Sequence, residues 1–459
     1  MGRKVFISIL GTTPYIECIY KAADKNCNLT RFIQKATLEY LNRDSSWTKD
    51  DVAYIFVTEG KNGSRELNWK TPATKERKTP KGDILSPYYG LEEELTKMKN
   101  PFPFEGIDIK DGKTDAEMWE VFNTIFSKIE DEDELYLDLT HSFRYLPMLL
   151  LVLCNYAKFL KHAHIAGVFY GNYEARKAIN GIYNAPLMNL MPLVQLQDWS
   201  TAAANFAQFG DTKQLTDLCK EKEGQYAAKQ EKSKAKEIKK FSKSLSVFSE
   251  DMLFCRGLFL RDEQHADNLL SSIESAKNLE ESSALNPILG KIKEEILPLC
   301  PDKDDAHMVN LFNIATQKFN DRQYQTSITI LEETLISWIC RYANDKGIDI
   351  DESDYNERHY VTTAISQFAK QQRGETTSED KVQELLKLDL FADENNKDFI
   401  KQMYRLIKIR NDYNHSKLNK RTREIIEKLR ISIKMIQNTI LRKIEPAVKI
   451  VELNDDQDV

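Results

Sequence analysis

The sequence predicts an α/β domain followed by an all-α region. Short apolar, β-branched runs alternate with helical periodicity up to residue 196, and helical periodicity alone follows. The chain has 459 residues, which is enough for several domains. We therefore divide it into a Rossmann-like domain at 1–196, a helical linker region at 197–300 and a helical C-terminal domain at 301–459.

The first domain contains five predicted strands, each an apolar run that ends at a turn signal. They lie at 5–10, 51–58, 105–109, 134–139 and 165–170. Helices are predicted at 29–41, 113–129 and 146–160, where apolar residues recur every three or four positions. This alternation favours a parallel, doubly wound sheet, to which 182–191 would add an antiparallel strand.

Segment 61–81 interrupts this order and carries seven Lys or Arg against two Glu. It fits either a solvated insertion or a basic lid over an anionic ligand. Beyond residue 196, helices are predicted at 248–299, 306–320, 323–342, 382–390, 397–413 and 421–444. Segment 353–377 is predicted to be irregular.

Composition and charge exclude several classes of protein. The net charge of −6 gives no overall basic field, so any RNA contact needs a local basic patch. Seven dispersed cysteines without a CxxC pair indicate neither a zinc site nor disulfides and fit a reducing cytoplasm. The sequence shows no signal peptide and no apolar stretch long enough to span a membrane, so we expect no membrane association. Without GxGxxG or GxxxxGK[ST], neither a dinucleotide enzyme nor an NTPase is favoured.

A ligand site is predicted beyond the carboxyl ends of the strands, where doubly wound sheets bind their ligands. These ends are rich in glycine, hydroxyl and amide groups. The candidate ligand-binding residues are Gly11, Thr12, Thr13, Thr58, Glu59, Thr140, His141, Ser142, Phe143, Arg144, Tyr170, Gly171 and Asn172. The segment 140–144 leads into a helix, so its N–H groups form an anion site. Two alternatives stay open, namely that Thr140 or Ser142 only caps that helix and that His141 is a core residue.

A second candidate site lies at the end of the predicted helix at 397–413. Apolar residues at helical spacing lead to Arg410, and Asn411 and His415 share a helical face. Arg and His suit RNA cleavage, because a His moves a proton at neutral pH and an Arg stabilises charge on phosphorus. Asn411 would orient either partner. The simpler alternative is that Arg410 reaches water along the helix surface and His415 complements the helix dipole.

Three stretches together resemble the CARF–HEPN ribonucleases of type III CRISPR systems. They are the strand that ends at Gly11-Thr12-Thr13, the segment Leu137-Asp138-Leu139-Thr140-His141-Ser142-Phe143-Arg144-Tyr145-Leu146-Pro147, and Arg410-Asn411-xxx-His415. Two features depart from the family pattern: Ser142, where relatives often carry Gly, and the insertion at 61–81. The resemblance implies a CARF sensor domain at the N-terminus and a HEPN ribonuclease domain at the C-terminus.

The resemblance also implies a homodimer that binds a cyclic oligoadenylate as allosteric activator across its two-fold axis. Two copies of Arg410, Asn411 and His415 would form one composite site. That site would cut single-stranded RNA without a metal or other cofactor, leaving a 2′,3′-cyclic phosphate and a 5′-OH. A two-fold symmetric ring fits such a dimer, with four adenylates favoured over six. We expect no stable DNA binding.

Three other functions stay open. The chain could be a binding module whose helical half docks a partner, or its sensor half could hydrolyse the cyclic ligand through His141 or a strand-end Thr. It could also be a DNA-binding regulator, which is disfavoured because the C-terminal part shows no helix-turn-helix pattern.

Overall fold

The computed structural model describes residues 2–22, 25–43, 46–73, 77–78, 82, 84–141, 146–279, 285–301, 308–371, 380–414, 422–441 and 450–454. The chain forms two compact units, Met1–Gln195 and Leu196–Val459. The first is a mixed α/β sheet with helices on both faces, and the second is largely helical. The predicted order of a Rossmann-like domain followed by an all-α region is confirmed, whereas the three-part division at 1–196, 197–300 and 301–459 stays a prediction. No described helix is long and apolar enough to cross a membrane.

The sheet of the first unit is built around five parallel strands. The described strands are β1 (Lys4–Ile9), β2 (Cys18–Lys21), β3 (Asn26–Thr30), β4 (Val52–Thr58), β5 (Arg77–Lys78), β6 (Ile84–Leu85), β7 (Phe104–Ile109), β8 (Glu134–Asp138), β9 (His164–Gly171), β10 (Lys177–Ile179) and β11 (Ile182–Asn189). The parallel order is β9-β8-β1-β4-β7. β11 joins β9 antiparallel, as predicted, and β2, β3 and β10 continue the sheet beyond it.

Burial on both faces explains why the strand sequences are apolar runs. The helices of this unit are α1 (Ile33–Leu41), α2 (Leu91–Lys97), α3 (Asp115–Phe126) and α4 (Leu146–Lys161). Val5, Ile7 and Ile9 of β1 pack on the face covered by α3 and α4. Phe6 and Leu10 pack on the opposite face, with α1 and α2. Alternate residues thus enter different cores, as the strand period of two requires.

The helical unit has one continuous apolar core, formed by buried residues between Trp199 and Leu453. Its described helices begin with α5 (Met191–Phe209), whose first residues belong to the first unit, and continue with α6 (Lys213–Ala228), α7 (Lys232–Leu253), α8 (Gly257–Leu260), α9 (Glu263–Lys277), α10 (Leu285–Ile296), α11 (Val309–Asn320), α12 (Tyr324–Asp345), α13 (Tyr355–Gln371), α14 (Asp380–Leu386), α15 (Asp389–Ala392), α16 (Lys397–Asn414) and α17 (Thr422–Thr439).

Two predicted elements are wrong. The helix predicted at 29–41 begins only at Ile33, the first residue of α1, because the preceding residues up to Thr30 are extended in β3. The chain turns between β3 and α1, where the Thr30 hydroxyl accepts a hydrogen bond from the Phe32 N–H (3.1 Å). The segment predicted as irregular, 353–377, contains α13. Val361, Ala364 and Ile365 of α13 are fully buried and lie at helical spacing.

Candidate functional site

The strand order places a crevice between the carboxyl ends of β1 and β8. The chain passes from β1 to β4 and β7 on one side of β1 and then crosses to β8 on the other side. Such a switch point is where doubly wound sheets bind ligands. Gly11 follows β1 and His141 follows β8, and a Cβ on Gly11 would lie 3.4 Å from the His141 Cβ. The structure therefore brings together two of the predicted ligand residues.

A buried carboxylate fixes the ends of three neighbouring strands. Asp138, which is 1% exposed, accepts hydrogen bonds from the Ser8 hydroxyl (2.8 Å) and from the N–H and hydroxyl of Thr140 (3.1 and 2.5 Å). The Thr140 hydroxyl in turn accepts from the Gly171 N–H (2.7 Å). Burial raises the pKa of Asp138, while the Thr140 and Ser8 donors oppose this shift. Thr140 thus shapes the crevice by connecting β8 with β9.

His141 lies in the crevice as a neutral ring. Its imidazole packs on the Tyr15 ring with 4.4 Å between ring centroids. Burial lowers the pKa of His141 to about 4, so the ring is uncharged at neutral pH. The Nε2 atom is buried and has no partner in the part of the chain that the structure describes. His141 can therefore offer a ligand a hydrogen bond but not a charge.

The loop after β1 is held by a residue of the 61–81 segment. The Asn68 side-chain N–H donates to the carbonyls of Gly11 (2.7 Å) and Thr13 (2.9 Å), and its oxygen accepts from the Arg77 guanidinium (3.0 Å). Asn68, Trp69 and Arg77 are all buried. This part of the segment is therefore neither a solvated insertion nor a lid, because it packs into the first unit and supports the loop after β1.

Two arginines lie close to this loop, and one of them, Arg31, also forms an ion pair with Glu17 (3.5 Å). The guanidinium carbons of Arg77 and Arg31 lie 3.9 and 4.5 Å from the centroid of the Tyr88 ring. Arg31 also donates to the Tyr15 carbonyl (3.1 Å). Both cations are held by aromatic stacking as well as hydrogen bonds. Neither was among the predicted site residues, because nothing in their sequence neighbourhood indicates their convergence on Tyr88.

Other predicted ligand residues already have partners within the fold. Thr58 and Ser64 exchange hydrogen bonds through their backbone N–H groups and hydroxyls (both 2.9 Å). Glu59 forms a surface ion pair with Lys110 (2.9 Å). The structure therefore places both residues at the end of β4. Thr58 is engaged in the turn that follows the strand, and Glu59 is engaged in the surface ion pair.

The remaining predicted residues differ in their surroundings. Asn172 accepts a hydrogen bond from the Ala175 N–H (3.2 Å) in a short helical turn. A Cβ on Gly171 would lie 2.6 Å from an Ile33 side-chain atom, so glycine is needed there for packing. Thr12 and Thr13 are exposed at the crevice, and Tyr170 is half-buried. The predicted residues Ser142, Phe143 and Arg144 lie outside the described residues.

The second candidate site contains Arg410 between two glutamates of α12. The Arg410 Nε lies 3.4 Å from a Glu332 carboxylate oxygen, and an Nη lies 3.4 Å from a Glu333 oxygen. The other Nη donates to the Asn411 side-chain oxygen (3.4 Å). Arg410 is 28% exposed, so its charge remains accessible from one side. The predicted residue His415 lies outside the described residues.

The glutamates connect Arg410 to a wider charge network. Glu333 pairs with Arg358 of α13 (2.5 Å). Arg358 also donates to the Ser337 hydroxyl (2.7 Å) and to the Glu352 carbonyl (3.0 Å). The position of Arg410 is thus fixed by charged groups on α12 and α13. Among the described residues, no group of three or more His, Cys, Asp or Glu side chains is arranged to hold a metal ion.

Glu332→Gln is expected to change the pH dependence of stability. Burial raises the pKa of Glu332 to about 7 from its ordinary value of 4.5, with Arg410 opposing the shift. Between these values the folded chain holds a proton that the unfolded chain has released. The stabilising contribution of Glu332 is therefore complete below pH 4.5 and is lost as pH rises to 7. This loss lowers the free energy of unfolding by at most about 3 kcal/mol.

Chemical denaturation of the wild type and the Gln variant at pH 5 and pH 8 measures this contribution. The variant should gain stability relative to the wild type on going from pH 5 to pH 8, by about 2–3 kcal/mol. If the free energies of unfolding of variant and wild type differed by the same amount at pH 5 and pH 8, Glu332 would be charged over that whole pH range.

Comparisons with known proteins relate the first unit to a described domain family. Residues 5–174 match the family model described as the CARF domain of the CRISPR system endoribonuclease Csx1. A CRISPR-associated protein of Methanocaldococcus jannaschii is 28% identical over 127 residues, which make up 27% of this chain. The chain spans only 20% of the length of that curated relative.

A solved structure, Enterococcus italicus Csm6 bound to cyclic hexa-2′-fluoro-hexa-dAMP, matches 97% of this chain and 96% of its own chain. The two are 9% identical, with a TM-score of 0.41. At this distance the likeness carries no argument about sites.

Proposed function

We propose that the first unit is a CARF domain of the kind found in CRISPR ancillary effectors. We further propose that the chain is an endoribonuclease activated by a cyclic oligoadenylate. The observation that carries the proposal is the partly exposed Arg410, held by Glu332 and Glu333 beside Asn411. An arginine with this support is preorganised to stabilise charge on a phosphoryl group. The C-terminal part would then be a HEPN domain.

The activator is proposed to bind at the β1–β8 switch point. Thr12 and Thr13 are exposed there, and Arg31 and Arg77 lie close behind the same loop. Hydroxyl and N–H donors near fixed positive charge suit the phosphates of an oligoadenylate. The neutral His141 ring would offer a hydrogen bond through its Nε2. Ser142, Phe143 and Arg144 are proposed to contribute from the adjoining segment.

A homodimer is proposed to form through α4. This helix exposes large apolar side chains: Met148 is 71% exposed, Val152 61% and Phe159 78%, and Leu151, Tyr156 and Leu160 are also exposed. A contiguous apolar face of this kind usually marks an interaction surface. Because α4 follows the ligand segment directly, two α4 helices that pack on each other about a two-fold axis would bring two ligand sites together.

The proposed chemistry is metal-independent transfer at phosphorus. One His415 takes the proton of the ribose 2′-OH as its oxygen bonds to phosphorus, and the His415 of the second copy gives a proton to the leaving 5′-oxygen. The P–O5′ bond breaks, which leaves a 2′,3′-cyclic phosphate and a 5′-OH. Arg410 stabilises the extra negative charge on the phosphoryl oxygens.

Activity in EDTA tests this chemistry. Cleavage of a single-stranded RNA by the activated protein should continue in EDTA, because Arg410 and His415 supply charge stabilisation and proton transfer. The same RNA with a 2′-deoxy sugar at the scissile position should resist, since it lacks the attacking hydroxyl. Loss of activity in EDTA, or normal cutting of the 2′-deoxy strand, would identify an activated water as the nucleophile.

Hydrolysis of the activator by the sensor unit is the second candidate function. His141 would be its base, but a pKa of about 4 makes this ring a weak base at neutral pH. The lowered pKa of His141 therefore favours a role in ligand binding over a role as a base.

A further inference from the structure

A cleft of ≈ 650 Å³ lies between α13 and α16, beside the proposed catalytic motif. Asn411 lines it at α16, and the Asn411 side chain accepts a hydrogen bond from Arg410. The cleft volume falls within the range of sites that hold small organic ligands, which is about 300–1,000 Å³. A molecule bound in it would therefore lie next to the arginine proposed to stabilise the reacting phosphorus.

The lining of the cleft is basic although the chain is acidic. Lys370 of α13 and Lys408 of α16 carry its ammonium groups, and among the residues that the structure describes no Asp or Glu lines it. The whole chain has a net charge of −6. Positive charge is thus concentrated at the local patch that an RNA contact requires.

Aromatic and hydrogen-bonding groups complete the lining. Tyr404 supplies a half-buried ring, and His359 is an exposed imidazole on the opposite helix. The Thr362 hydroxyl donates to the His359 carbonyl (3.0 Å) and lies 3.5 Å from its Nδ1. A ring for stacking, ammonium groups for phosphates and nearby hydroxyls are the groups that proteins use for single-stranded nucleic acid.

We propose that this cleft is a subsite for the single-stranded RNA substrate. A nucleotide next to the scissile phosphate stacks its base on Tyr404, with Lys408 and Lys370 on the flanking phosphates and His359 as a hydrogen-bonding group. The assignment rests on the proposed ribonuclease function, and it adds a substrate-binding surface formed by α13. These side chains bind and orient RNA and take no part in proton transfer.

The test uses the whole 459-residue chain with its proposed cyclic oligoadenylate activator. Binding of an RNA with a 2′-deoxy scissile sugar is measured by fluorescence anisotropy at several salt concentrations, and cleavage of the all-ribose strand gives KM and kcat. Tyr404→Leu should raise the Kd for RNA about 5- to 100-fold. Lys408→Gln should lower the slope of log K against log salt by about 0.7. Both variants should raise KM and leave kcat and activator affinity unchanged.

Matched controls and sedimentation complete the experiment. Lys401→Gln on α16 and Tyr355→Leu on α13 lie outside the cleft lining and should bind RNA as the wild type does. Wild-type RNA affinity and salt slope in both cleft variants would overturn the proposal, as would a change in oligomeric state, because the cleft would then be an interface between copies. RNA binding that depends on Tyr404 and Lys408 without any cleavage would support the subsite and refute the ribonuclease function. Cleavage with unchanged KM would refute the subsite alone.

Discussion

Arg410→Ala is expected to lower the rate of RNA cleavage by about 10²–10³-fold, because the developing negative charge on the phosphoryl oxygens loses its cation. His415→Ala should lower the rate by about 10²–10⁴-fold through loss of proton transfer. The double variant should be little slower than either single variant, because the two residues act on one transition state. Single-turnover cleavage with saturating activator measures these rates.

The controls must separate chemistry from folding. Arg410→Ala leaves Glu332 buried without its cation, so part of any loss could reflect altered packing. The double variant Arg410→Ala with Glu332→Gln removes that stranded carboxylate and should remain as slow as Arg410→Ala alone. Arg405→Ala, on the exposed side of the same helix, should cleave at the wild-type rate. Recovery of activity in the double variant would assign Arg410 a structural role.

Glutamate at two positions of α4 is expected to produce a monomer without cleavage activity. Val152→Glu with Phe159→Glu removes two exposed apolar side chains from the proposed interface, each contributing about 1.5–3 kcal/mol when buried. It also places two charges in an apolar contact. Because each chain would supply only half of the catalytic site, the monomer should lose activity together with the dimer.

Sedimentation velocity and cleavage should be measured on the same samples. Ile179→Glu, which changes an exposed apolar residue of β10, is the matched control and should remain dimeric and active. A variant that sediments as a monomer but cleaves RNA at the wild-type rate would exclude the composite site. If the double glutamate variant remained dimeric, the dimer interface would not be formed by α4.

The sheet could be predicted because its strands are buried on both faces. Runs such as 5–10 and 51–58 are apolar except at Ser8, Asp51 and Thr58, so they can be recognised as buried strands without knowledge of their neighbours in the sheet. The start of the segment 29–41 is harder to predict, because it overlaps β3. That strand is a short edge strand with exposed positions, so its sequence lacks a strong strand signal. In α13 the helical spacing of Val361, Ala364 and Ile365 was present, but it lies within a β-branched stretch.

The site could be predicted only in part. The general rule for strand ends located Gly11 and His141 at the crevice, because it depends on strand direction alone. The roles of Asn68 and Glu332 arise from partners distant in sequence, Gly11 and Arg410, which the sequence does not connect. Glu332 did leave one signal, since it occupies a position of the apolar stripe of α12 between Ile328 and Leu335.

We propose that a cyclic oligoadenylate bound by the first unit activates RNA cleavage by the second. Cleavage of a labelled single-stranded RNA should be measured against a panel of cyclic oligoadenylates that includes rings of four and six adenylates, with linear oligoadenylates as controls. We expect strong stimulation by one even-membered ring, with the four-membered ring favoured, and none by the linear forms. Equal cleavage with and without every ring, or no cleavage under any condition, would contradict it.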